Sequence, residues 1–293
     1  MFLICAVCGF DSTGANQDTT MLKRGMANHR LKVSGLSLGG YLGKCLRLRV
    51  TNTTQKELKV TVDPGLIFTA DDSVEKTAGQ PLVTWGNETL VLKPSETREL
   101  EVNTFCGNLN AHCPRKNLAF SYAKQADTLL IKALVYGREN GLNSSLMQSG
   151  VWAFTNHMGY NTVYGGSEMQ ANMLSTFIAD LTHKVKPEYY KQYKQFNKSG
   201  EAVYNKDSVK IVVPLKWSHE AGGQMFVTVY KENGDIYKKI EADRSIDKTG
   251  YTVLVEFNPH KDLNGAYIVE ARDKNNKVWQ RKLVDVDFEY RGY

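Results

Sequence analysis

The chain reads as mainly β: two antiparallel β-sandwich domains with a helical appendage between them. Three observations carry this expectation. Short alternating runs of apolar and polar residues, each closed by turn residues, recur at roughly ten-residue spacing from Leu31 to Cys106 and return after Ser208. Over 127–184 the apolar residues are instead spaced by three and four, the period of a helix. With 293 residues, 42% of them hydrophobic and 23% charged, the chain can bury two ordinary cores, and global disorder is excluded.

In chain order, the first strong strand signal sets Leu46, Leu48 and Val50 on one face against Cys45, Arg47 and Arg49 on the other, and ends in the polar turn Thr51 to Thr54. Leu58, Val60 and Val62 repeat the pattern until Asp63-Pro64-Gly65, where proline cannot continue a ladder. LIFTA, PLVTW and ETLVLKPSE are three further runs, and TRELEVNTFC closes the series with Leu100, Val102 and Thr104 against Glu99, Glu101 and Asn103. A first helix is expected over 127–136, with Leu129, Leu130, Ala133 and Leu134 on one stripe and Gly137 as its stop. Asn143-Ser144-Ser145 caps a second, with Met147, Val151, Trp152 and Phe154 on its apolar face. A third, over 167–184, turns Met169, Met173, Leu174, Phe177, Ile178 and Leu181 inward as core.

The domain plan is a leader over 1–20, a β-sandwich with its helical appendage over 30–185, a basic aromatic linker over 186–207 and a second sandwich over 208–293. The second sandwich carries turns at Glu232-Asn233-Gly234 and Asp273 to Asn276. The apolar start MFLICAVCGF suits a secretory leader without its basic flank, or a buried first strand, and is too short to span a bilayer. The linker interleaves lysines with Tyr189, Tyr190 and Tyr193, which together with Trp152 are the candidates for ligand contact.

The formal charge of +6 is scattered among acids and reads as a solvated surface, so no nucleic acid is expected. His112, His157, His183, His219 and His260 show no metal-ligand spacing, and neither a metal nor a cofactor is expected. The Asn-Xaa-Ser/Thr triplets at Asn52, Asn87, Asn143 and Asn197 would be glycan acceptors only in a eukaryotic secretory host. Removal of the leader leaves Cys45, Cys106 and Cys113, an odd number, so at least one has no disulfide partner within the chain.

Phe105-Cys106 followed by Gln148-Ser149-Gly150-Val151-Trp152 resembles the thioester domains of bacterial surface adhesins, in which an aromatic-Cys pair lies upstream of a Gln-Xaa-Xaa-apolar-Trp element on a helix. The resemblance implies that the Cys106 sulfur and the Gln148 side-chain carbonyl form an internal thioester able to capture a nucleophile on a partner. Met147 and Gly150 stand where that family usually has threonine and alanine. The residues leave two other accounts open, a Cys106–Cys113 disulfide across seven residues, and unlinked thiols with Cys106 buried and Gln148 a plain helix surface residue.

VTVYKENGDIYKKI and DLNGAYIVEARDKNNKVWQRKLVDV are similar to the C-terminal Ig-like modules of exported Bacteroidetes proteins, among them type IX sorting domains, and to FlgD-type modules. Together these readings predict a secreted or cell-surface protein of a bacterial envelope that binds a protein or glycan and is not an enzyme. The alternatives are covalent adhesion through Cys106 and Gln148, and a secreted hydrolase built on Cys106 and His157.

Overall fold

The computed structural model describes residues 18–71, 79–109, 111–192, 194–196, 202–204, 208–216, 225–242, 250–258, 260–262 and 264–286. The protein is mainly β, with 47% of the described residues in strands and 21% in helices. Among the described residues no helix is long and apolar enough to cross a membrane.

The chain opens with β1 (Asp18–Met21) and the short α1 (Leu22–Ala27), followed by β2 (Leu31–Ser37), β3 (Leu42–Asn52), β4 (Leu58–Thr61), β5 (Leu66–Ala70), β6 (Leu82–Thr84), β7 (Thr89–Leu92), β8 (Thr97–Cys106) and β9 (Ala119–Gln125). Six of these close into a barrel in the order β2-β3-β8-β6-β5-β9, and β1-β4-β7 form a three-stranded sheet beside it. Closure removes the free edges that an open sandwich would leave. Inside, Leu46, Leu48, Val50, Phe68, Leu82, Val102 and Phe120 are buried in one core.

Several local expectations change. The leader expected over 1–20 overlaps β1, which pairs in parallel with β4 from Asp18↔Leu58 to Met21↔Thr61; residues 1–17 lie outside the described residues. This pair is parallel within an otherwise antiparallel module, because α1 separates β1 from β2 and frees it from the hairpin geometry that antiparallel neighbours share. Cys45, placed by alternation on the arginine face of β3, is buried beside Leu46 because the β3–β8 register slips between Lys44 and Leu46. A bulge of this kind turns two successive side chains inward. Asn52 is buried, and its amide nitrogen donates to the carbonyls of Lys56, Leu92 and Lys93 at 2.7, 3.2 and 3.0 Å. That amide staples the end of β3 to the end of β7 and leaves no room for a glycan there.

The helical layer comprises α2 (Thr128–Glu139), α3 (Ser144–Thr155), a 3-10 turn (Tyr160–Thr162) and α4 (Glu168–Thr182). Asp127, Asn143 and Ser167 cap the three helices, accepting from the main-chain N–H groups of Leu129, Ser145 and Gln170. Gly137 does not stop α2 but lies inside it, where a Cβ would stand 2.2 Å from the Met147 sulfur. Its missing side chain is what lets α3 pack so close. Met169, expected in the core, is in the exposed first turn of α4, while Phe177 stacks on Tyr136 at 3.9 Å.

Residues 186–207 do more than link. They hold β10 (Tyr190–Gln192), β11 (Lys194–Phe196) and β12 (Ala202–Tyr204), and β10 is an edge strand of the C-terminal module, pairing with β13 (Val209–Lys216). That module continues with β14 (Met225–Lys231), β15 (Ile236–Ala242), β16 (Gly250–Phe257), β17 (Gly265–Asp273) and β18 (Val278–Val286). Its sheets, β10-β13-β16 and β15-β14-β17-β18, are antiparallel throughout and enclose one core of Ile211, Val213, Val227, Val255, Phe257, Val269 and Val284.

Candidate functional site

Strand β8 begins exposed, alternates between half-buried and buried side chains from Glu101 to Thr104, and ends buried on both sides. Val102 and Thr104 are buried, and Phe105, on the opposite face, belongs to the core that the barrel shares with the helices, with the Trp85 ring 5.1 Å away. The last residue, Cys106, is fully buried and packs with Leu109 and Trp152. Helix α3 is enclosed nearly all round: eight consecutive residues, Leu146 to Ala153, are buried. A helix in that position cannot turn a polar side chain to water, so each polar group on it needs a partner within the fold.

Gln148 finds that partner at Cys106. Although 42 residues apart in sequence, the two make a two-point contact: the Cys106 N–H donates to Gln148 Oε1 at 2.8 Å and Gln148 Nε2 donates to the Cys106 carbonyl at 2.9 Å. The same Cys106 N–H is shared with the Tyr41 carbonyl at 2.9 Å. Gln148 is 1% exposed, which removes the reading of it as a helix surface residue.

Two further residues complete the arrangement, and the sequence reading passed over both. Asn156, four residues beyond Trp152, accepts from the Leu109 N–H at 3.2 Å and donates to Asn108 Oδ1 at 3.2 Å. Gln148, Trp152 and Asn156, at intervals of four along α3 and its C-cap, therefore clasp the Cys106–Leu109 segment from one side. That four-residue spacing was the available signal for Asn156. Asn108 holds the sulfur itself: Cys106 Sγ lies 3.0 Å from the Asn108 carbonyl, and the Asn108 N–H donates to Sγ at 3.3 Å.

Gly150 lies against α4, where a Cβ would stand 3.3 Å from the Leu174 side chain. Cys45, Cys106 and Cys113 all carry thiols, the first two buried and the third exposed, so the Cys106–Cys113 disulfide is not formed in this structure. The Cys106–Leu109 segment is held instead by the clasp, and Cys113 acts electrostatically on Cys45. Burial pushes the Cys45 thiol pKa up, offset in part by hydrogen bonds from Thr104 and Leu42.

Of the proposed ligand-contact residues, Trp152 and Tyr190 are core, each 3% exposed, and Tyr193 lies outside the described residues. Burial raises the Tyr190 phenol pKa, which its hydrogen bond to Ser175 partly offsets. Tyr189 does reach a cleft of about 590 Å³ between the end of α3, the segment after α4 and β18, and its hydroxyl donates to the Asp285 carbonyl at 2.9 Å. His157 is exposed on the wall of this cleft, and Cys106 is buried beside Leu109 and Trp152. Among the described residues no group of three His, Cys, Asp or Glu side chains is arranged to hold a metal. Compared with known protein families the chain matches none, and it matches no curated protein.

Proposed function

We propose that this protein is an exported surface-binding protein that attaches covalently to its partner through a thioester between Cys106 and Gln148. The observation that carries the reading is the two-point contact between the Gln148 carboxamide and the Cys106 main chain.

The chemistry follows from those atoms. Attack of the Cys106 sulfur on Gln148 Cδ builds negative charge on Oε1, which already receives the Cys106 N–H at 2.8 Å, the distance at which a donor stabilises a developing oxyanion. The amide nitrogen leaves as ammonia and takes the thiol proton, so a thiol and a carboxamide become a thioester and one ammonia. The carboxamide is fixed in place before reaction, which removes much of the orientational cost. The sulfur is turned toward Asn108, and rotation about the Cα–Cβ bond of Cys106 is the movement the step requires. A partner amine or hydroxyl then acylates on Gln148 and returns Cys106 to its thiol. Exchange with the abundant thiols of a cytosol would consume such a bond, which supports a location outside the cell.

Intact mass and peptide mapping of the non-reduced mature protein, from which the leader with Cys5 and Cys8 has been removed, test the reading. A mass lower by one ammonia, with the Cys106 and Gln148 peptides joined and released by hydroxylamine, is expected. A mass corresponding to three thiols or to a disulfide, with Gln148 unmodified, overturns it and leaves the Gln148 contact as a purely structural strap.

A further inference from the structure

The cleft beside α3 has features that the Cys106–Gln148 pair does not use. Met158 lines it, and the same side chain packs against both the Cys106–Leu109–Trp152 cluster and the C-terminal core. One methionine thus borders both the cleft and the cluster that holds the buried sulfur.

The charge around the cleft is unbalanced. Lys184 and Lys186 stand in its wall, and Lys282 and Lys216 lie close by; the acids facing them are Glu188 and Glu168. Glu168 is drawn to Lys216 at 3.9 Å and accepts from Thr252 at 2.8 Å, while Lys282 donates to the Glu188 main-chain carbonyl at 3.0 Å. Burial lowers the Lys282 pKa, and Lys216 and Lys186 oppose its charge further. With Asp285 beside Tyr189 as a third acid, the wall itself still holds two ammonium groups, Lys184 and Lys186, against the one carboxylate of Glu188, and such a site gains by taking up an anion.

The walls also alternate in character. The Tyr160 ring, with the Lys184 ammonium 5.1 Å from its centroid, and the exposed Leu283 are apolar surfaces, and Asn161 stands among them as a polar group. A sugar ring matches such walls, because it has C–H faces and a rim of hydroxyls. A volume of about 590 Å³ is in the range of small-molecule sites.

We propose that this cleft binds an anionic saccharide, a short uronate chain, with Lys184 and Lys186 receiving its carboxylates and Tyr160 facing a ring. As a partner for the covalent step this inference rests on the thioester reading; as a binding site it stands without it.

The test is calorimetric titration of the full chain with trigalacturonate and, separately, with the neutral maltotriose. Binding of the uronate alone is expected, weakened by added salt. Lys184→Ala and Lys186→Ala should each weaken it about tenfold, the loss of one charge-assisted contact. Cys106→Ala should leave it unchanged. No uronate binding, equal binding of maltotriose, or binding that neither lysine variant weakens would overturn the proposal. Because Cys106→Ala keeps the cleft and lacks the sulfur, failure of the thioester leaves this result standing. An ammonia-deficient mass in a protein that does not bind uronate removes the cleft assignment alone.

Discussion

The two modules are built from similar strands and treat their polar residues in opposite ways. Among the described residues of the N-terminal module ten neutral polar side chains are buried, including Asn52, Thr104, Gln148, Ser149 and Asn156. In the C-terminal sandwich and its edge strand the described buried polar residues are Lys191 and Glu270, the latter covered by Arg272 and Arg281. Of the exposed large apolar side chains among the described residues, Met21, Met169 and Val185 precede the C-terminal sandwich and the other five belong to it. Phe226, Ile236, Leu254, Val278 and Leu283 are all on C-terminal strands, between 42% and 62% exposed.

A sandwich leaves one face of most strands in water, so alternation places most side chains, the exceptions being Ile211 to Val213 and Val269 to Ala271, which are buried in succession. A barrel covered by helices takes water from both faces at the strand ends. There a polar residue is kept only if the fold supplies its hydrogen bonds. The candidate site occurs at such a place.

The largest effect that would sharpen this contrast comes from two glycines with nearly the same backbone angle. At Gly86, φ is +82° and a Cβ would lie 2.5 Å from the Pro64 nitrogen; at Gly234, φ is +88° and nothing lies within 4 Å. Gly86→Ala should therefore cost roughly 3 kcal/mol or more, combining backbone strain with a collision against main chain, and Gly234→Ala about 1 kcal/mol from strain alone. Urea denaturation of the full chain measures both, and equal losses would mean that the N-terminal module is no more tightly packed than the sandwich.

Next in size is Gln148→Leu. It keeps the volume in α3 but removes both contacts with Cys106, leaving a main-chain carbonyl buried without that donor, for a loss of roughly 2 kcal/mol. A loss near zero would show that the carboxamide is not held as the geometry describes.

The smallest effect belongs to the C-terminal module and depends on pH. Tyr237 donates to Asp262 at 2.9 Å and stacks on Phe257, and burial followed by Asp262 raises its phenol pKa far above the ordinary value. The folded state thus holds the phenol proton more tightly than the unfolded chain does. The resulting stability is fully present below the unfolded value of about 10 and is lost as pH rises through the folded one. Tyr237→Phe should cost about 1 kcal/mol at neutral pH and should flatten the decline in melting temperature above about pH 10. An unchanged decline in the variant would assign the alkaline loss to other groups.

Much of the fold could be read along the chain. The faces of β3 and β8, the turns that end the strands and the caps at Asp127, Asn143 and Ser167 are all local, set by a residue and its neighbours within one or two turns. Cys106 and Gln148 were singled out by resemblance, not by any property of the intervening chain. Cys45 was assigned to the wrong face because a bulge cannot be seen in an alternating pattern. Gly137 looked like a stop because a glycine late in an apolar stripe usually is one; its use as a seat for Met147 depends on a second helix.

The chain's own periodicity determined that the protein is mainly β, where its helices lie and which faces of most strands are apolar, since these follow from side-chain alternation and capping over a few residues. Tertiary structure decided the closure of the barrel, the parallel β1–β4 pair, the recruitment of β10 into the second module and the enclosure of α3 that drives Gln148 onto Cys106. Those outcomes depend on which distant segments meet once loops close and cores fill. That competition is settled by the packing of the whole module, not by any short stretch of sequence.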